Sequence, residues 1–132
     1  MVQGIEQLRR RLVDEIPKKV RANVEAALLE SASRIVAGAQ LRVPVDEGQV
    51  QASIRHHGVK EGKRGGLYVA ITAGDKTTET DEAGRVYQVA RLLEFGTVKM
   101  AAQPYMLPAY RANRAAARRS LRGAIRKAIQ EK

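Results

Sequence analysis

Residues Leu92–Pro108 read LLEFGTVKMAAQPYMLP, and the reading of this stretch decides the fold. It holds the only Phe of the chain (Phe95), two of the four prolines (Pro104, Pro108), two of the three methionines (Met100, Met106) and Tyr105. With only 4% of residues aromatic, that concentration marks where a compact core or a partner surface is built. Gly96 suits a positive φ, which ends a helix or turns the chain sharply. Residues 99–103 have no period and read as a connector. Pro104 biases Gln103 towards extended geometry, and Pro108 suits the first position of a final helix. The stretch therefore predicts a helix end, a turn, an extended loop and a helix start. Glu94 has Arg91, Lys99 or a basic residue of a neighbouring subunit as candidate partners. An exposed pair of that kind contributes only about 0–1 kcal/mol, so Glu94 is read as an interface contact.

Upstream, the first forty residues read as helix. Ile5, Leu8, Leu12 and Ile16 recur at helical spacing, and Pro17 predicts a kink or break near Ile16 and the opening of a second helix. That helix carries Val20, Val24, Ala27, Leu28, Ser31 and Ile35 on one face, and its many alanines let a neighbour approach closely. Leu41–Val45 leaves the helix, with Val43 extended before Pro44. Asp46 reads as an N-cap with Gln49 at capping-box spacing, which predicts a single helical turn over Glu47–Ala52. Ser53–Val59 and Leu67–Ala73 are candidate strands joined by KEGKRGG, a hairpin turn. Residues 74–85, GDKTTETDEAGR, are polar and aperiodic and predict an exposed, mobile loop. Val86–Glu94 returns to a pattern compatible with a short helix, with a strand as the other reading. Residues from Pro108 to Lys132 are rich in Ala and Arg and predict a helix. The result is one α+β domain: a helical segment (1–42), a β-rich core with a small antiparallel sheet (43–107) and a basic C-terminal helix (108–132).

Net charge is +10, and residues 111–132, with eight basic and one acidic side chain, hold most of the excess. Arg111, Arg114, Arg118 and Arg122 fall on one stripe of the final helix. Such a field attracts phosphate, anionic lipid or an acidic protein face. The chain has no Cys, which excludes a disulfide framework and thiolate metal sites. No apolar run approaches the roughly 18 residues of a membrane span, and a soluble chain that stays where it is made is expected.

Catalytic and ligand chemistry finds little footing. His56 and His57 are adjacent in a predicted strand and point to opposite faces, so they cannot share one metal. Asp75, Glu79, Asp81 and Glu82 lack the spacing of a calcium loop. Gly62–Gly66 lacks that of a phosphate-binding loop, and Ser31, Ser33, Ser53 and Ser120 lack a nucleophile elbow. No enzyme, cofactor or metal site is expected.

Two blocks carry a resemblance. LLEFGT followed by MAAQPYMLPA, and upstream LRVPVDEGQVQASI (Leu41–Ile54), resemble the gene-product-ten-like family of long-tailed bacteriophages, minor virion proteins of head–tail joining or tail completion. Glu47 stands where the family usually has Thr, and Val50 where a Leu is common. The resemblance implies a small α+β subunit that forms a ring, six-fold, between the neck and the tail tube. It implies contacts with other neck and tail proteins and a place in the virion at the head–tail junction, after assembly in the host cytoplasm. Glu94, Phe95, Gly96, Thr97, Pro104, Tyr105 and Pro108 are the expected subunit or partner interface. Pro44, Asp46, Gly48 and Ser53 are the expected structural motif. The arginine stripe is expected to meet an acidic partner ring, DNA in the channel, or solvent alone. The competing reading is a nucleic-acid-binding protein acting through Arg111, Arg114, Arg118, Arg119, Arg122 and Arg126. A membrane-surface helix ranks below both, because the apolar face of the final helix is mostly Ala.

Overall fold

The computed structural model describes residues 2–45 and 48–130. The helical start is α1 (Val2–Arg10), a π-helical turn (Arg11–Glu15) and α2 (Ile16–Arg42). Leu8, Leu12, Ile16, Val20, Val24 and Leu28 recur every four residues, a step that overshoots a 3.6-residue turn by about 40°. One widened turn takes up part of the accumulated offset. It also frees the backbone ahead of Pro17, which has no N–H and whose ring crowds the preceding turn. The Ile16 N–H bonds back five residues to the Arg11 carbonyl, so the helical path continues. The break expected near Ile16 is thus a π turn rather than an end.

Beyond α2 come α3 (Gln49–Ser53), β1 (Arg55–Glu61) and β2 (Leu67–Thr72), then a 3₁₀ turn (Lys76–Thr78), β3 (Glu79–Glu82) and β4 (Arg85–Gln88). The chain ends in α4 (Val89–Phe95) and α5 (Met106–Gln130). The fold is α+β, with the strands forming two separate antiparallel pairs, β1–β2 and β3–β4. In β1–β2 the register shifts between His56 and Val59, where Gly58 takes φ 78°.

Several boundaries differ from expectation: α2 runs on through Arg42, and β1 runs to Glu61, into the stretch read as the hairpin turn. α3 extends through Ser53, so β1 begins two residues later than read from the alternation. α3 starts at Gln49 with Gly48 at the N-cap in left-handed geometry (φ 80°); Asp46 and Glu47 lie outside the described residues. The polar stretch expected as a loop holds the 3₁₀ turn and most of a hairpin instead. Ala83 and Gly84 both have positive φ (55° and 79°), as a two-residue hairpin turn requires. Val86–Glu94 is neither wholly helix nor wholly strand, because β4 passes directly into α4 at Gln88 and Val89.

α2 and α5 pack side by side, with Ala27, Ala32, Ala39, Ala109 and Ala128 all buried. Asn23 Nδ2 on α2 donates to the Ala124 carbonyl on α5 (3.2 Å). The core lies at the far end of this pair: Ile35, Ala39, Val43, Ile54, Tyr105 and Ala109, flanked by Val36, Val50, Ile71, Ala73, Leu93 and Met106. Ser53 fastens α3 to the end of β2: its Oγ donates to the Val50 carbonyl (2.6 Å) and accepts from the Gly74 N–H (2.8 Å).

Candidate functional site

α4 is seven residues long, and consecutive helical residues point about 100° apart. Glu94 therefore turns inward while Phe95 turns out. Glu94 is buried, and its carboxylate meets the start of α5: Oε2 accepts from the N–H groups of Tyr105 (2.8 Å) and Met106 (3.0 Å), and Oε1 from that of Leu107 (3.0 Å). A helix leaves its first four N–H groups without intrahelical partners. Here Pro108, third in α5, has no N–H to satisfy, so one side chain caps all three donors that remain. The negative charge also sits at the positive end of the helix dipole. Burial pushes the Glu94 carboxyl up, the three N–H donors hold it down, and the net direction is below the ordinary glutamate value. The Tyr105 hydroxyl donates to the Ala90 carbonyl (2.8 Å), and burial with the Glu94 charge pushes the phenol up to about 12.

The connector between these helices is tied at both ends. The Gly96 N–H reaches the Leu92 carbonyl (2.7 Å), the Gln103 N–H the Leu93 carbonyl (2.8 Å), and the Thr97 N–H the Met100 carbonyl (2.8 Å). Thr97 Oγ1 accepts from the N–H groups of Lys99 and Met100. Gly96 takes φ 75° and ψ 177°, a region nearly reserved for glycine. A Cβ there would stand 2.7 Å from the Ala102 nitrogen and 3.0 Å from the Met100 carbonyl oxygen. Gly96→Ala is expected to lower stability by roughly 1–3 kcal/mol from backbone conformation alone, read as a reduced midpoint in urea unfolding.

The expected interface residues thus separate into two sets. Glu94 and Tyr105 lie inside the subunit, so the surface ion pair expected for Glu94 is replaced by the helix cap. Phe95, Thr97 and Pro104 are exposed, Gly96 and Pro108 half-buried. Pro108 is in the first turn of α5 rather than at its first position, since the helix begins at Met106. Phe95 and Leu107, 67% and 47% exposed, line one shallow cavity of about 310 Å³, and Val98 is fully exposed in the turn that follows. Pro44 and Gly48 line another cavity with Val50, Thr78, Val89 and Leu93. Arg111, Arg114, Arg118 and Arg122 are all exposed and make no ion pair among the described residues.

Other groups behave as structural parts. Asp75 accepts from the Thr77 N–H (2.8 Å) in a capping box that includes Thr78, whose hydroxyl also bonds Gln88. Hydrogen bonding from Thr77 is the main cause holding the Asp75 carboxyl below its ordinary value. His57 Nε2 pairs with Thr72 Oγ1 (2.7 Å) across the β1–β2 ladder, and His56 Nδ1 accepts from the Gly58 N–H. Among the described residues no helix is long and apolar enough to cross a membrane.

Residues 6–96 match the model of the family described as "Bacteriophage HK97-gp10, putative tail-component". The chain belongs to this family, a family of phage tail components. The match covers the helical start, both hairpins and α4, and stops before Pro104, Tyr105 and α5. No curated protein and no solved structure matches the chain. Membership gives the chain a structural, tail-related role in a phage virion.

Proposed function

We propose that this chain is a subunit of the head–tail neck of a long-tailed phage, working as a closed homo-oligomeric ring, six-fold, that joins or completes the tail. The supporting observation is the Phe95–Leu107 surface. A large aromatic side chain and a leucine stand exposed on a segment held by the Glu94 cap and the bonds of the connector. Solvent gives such side chains no reason to be presented so rigidly; a protein neighbour does, since aromatic anchors on fixed supports carry much of interface affinity. Thr97 and Pro104 widen the same surface. The function is geometric: the ring offers one face to the capsid side and one to the tail side, around a channel for DNA. Other neck and tail proteins are its partners.

The test is native mass over a range of protein concentrations, at moderate salt and without nucleic acid. A closed hexamer or its multiple is expected, and Phe95→Ala is expected to shift the population to a folded monomer with unchanged far-UV circular dichroism. A wild-type monomer at every concentration, or undiminished rings from Phe95→Ala, would contradict this reading. The six exposed arginines of α5 (Arg111, Arg114, Arg118, Arg119, Arg122 and Arg126) favour a second reading, nucleic-acid binding. It requires duplex DNA affinity that falls steeply with salt.

A further inference from the structure

Two features of the subunit are left over by the Phe95 surface, and they fit each other. The first is the arm formed by α1 and the π turn. Ile5, Leu8 and Leu12 are 68%, 56% and 57% exposed and lie along one side of α1 and its continuation. The second is a trough floored by α2 and walled by β2 and α5. One half, of about 370 Å³, is lined by Leu28, Ile35, Val69, Ile71 and Leu121 among others; the other, of about 550 Å³, by Val20, Val24, Leu67 and Ile125. Leu28 and Leu121 belong to both halves, so the trough is continuous. Along α2 it runs from Pro17 to Ile35, about 27 Å at 1.5 Å per residue. The arm, residues 2–15, is about 20 Å by the same measure.

We propose that the arm, through Ile5, Leu8 and Leu12, docks into the trough of a second copy of this chain. The inference rests on the self-assembly reading above and names a contact for it. Three observations choose this occupant. Pairing two arms would cover only a two-turn stripe on each while leaving both troughs open. Charge also discriminates: the trough rim carries Arg114 and Arg118. The arm has three basic residues (Arg9, Arg10, Arg11) and three acidic (Glu6, Asp14, Glu15), and enters without net repulsion, whereas a second α5 would not. Finally, the arm does not reach its own trough. That trough begins at Pro17, where the arm departs, and folding back would break the helical ladder that the Ile16–Arg11 bond carries across the π turn. Arm and trough are different surfaces, so the contact is heterologous, the type that builds a ring when its rotation closes and a filament when it does not.

The chain has no cysteine, so introduced thiols report without background. Leu8→Cys and Leu121→Cys chains are prepared separately, mixed and oxidised, with Ile125→Cys as a second trough position. A disulfide-linked 1:1 dimer is expected from the mixture and from neither variant alone. The double variant is expected to give a ladder of covalent oligomers. Rings that form by native mass with no Leu8–Leu121 or Leu8–Ile125 linkage would overturn the arm contact and leave the self-assembly reading standing. Linkage within Leu8→Cys alone would show arms pairing with arms, and an intrachain disulfide in the double variant would show the arm folding onto its own subunit; either overturns the proposal. A wild-type monomer at every concentration overturns the self-assembly reading, and the arm contact with it.

Discussion

Tyr105→Ala is expected to cost about 3–5 kcal/mol of folding stability, the range for deleting a buried aromatic ring. Tyr105 is the largest fully buried side chain, and its ring lies in the core with Ile35, Ala39, Val43, Ile54 and Ala109. Several of those neighbours are alanines or backbone-limited residues at the ends of elements, which have little side chain with which to fill a void. The variant should therefore leave a cavity rather than collapse. Tyr105→Phe keeps the ring and loses only the bond to the Ala90 carbonyl, with an expected cost near 1 kcal/mol. Urea unfolding of the three proteins measures both. A loss below about 1 kcal/mol for Tyr105→Ala would mean that the core is not organised around this ring.

Glu94→Ala is expected to cost about 2–3 kcal/mol, because it strands the buried Tyr105 N–H, at roughly 1–3 kcal/mol for an unsatisfied buried group, and leaves the N–H groups of half-buried Met106 and exposed Leu107 to water. Glu94→Gln should cost less, since its amide oxygen still accepts while the charge and one acceptor are lost. The pH dependence separates charge from shape. The Glu94 carboxyl titrates below its ordinary value in the folded state, so its contribution is complete above that ordinary value. It is lost as the pH falls through the folded-state value. The stability gap between wild type and Glu94→Gln should therefore be wide near pH 7 and narrow near pH 3. An equal gap at both would show that the carboxylate's charge contributes nothing to the cap.

The large elements were legible because their signals are local and long. α2 and α5 follow from apolar spacing and Ala content over more than twenty residues each, and β1–β2 from alternation on both sides of a Gly-rich turn. The hairpin of β3 and β4 was missed because its strands, ETDE and RVYQ, carry almost no apolar face. The signal that could have found it was the Ala83-Gly84 pair between them. Leu92–Pro108 was read as the organising stretch, and Tyr105 does anchor the core. The role of Glu94 escaped because its partners lie eleven to thirteen residues away and come near only through folding. A negative clue was present: α5 starts beside Tyr105, with no Ser, Thr, Asp or Asn to cap it locally, so the cap had to come from elsewhere. The arm's stripe was legible as periodicity; that nothing among the described residues covers it was not.

The alanine contact between α2 and α5 has one more consequence. Short side chains let two helices come very close, but they form shallow ridges, and ridges seated in grooves are what stop one helix from sliding along another. Axial position must then be held near the two ends: by Asn23 on Ala124 at one, and by the Tyr105 ring in the cluster with Ile35, Ala39 and Val43 at the other. Releasing either hold would leave the register of the two helices less defined, the condition under which packed helices slide past one another.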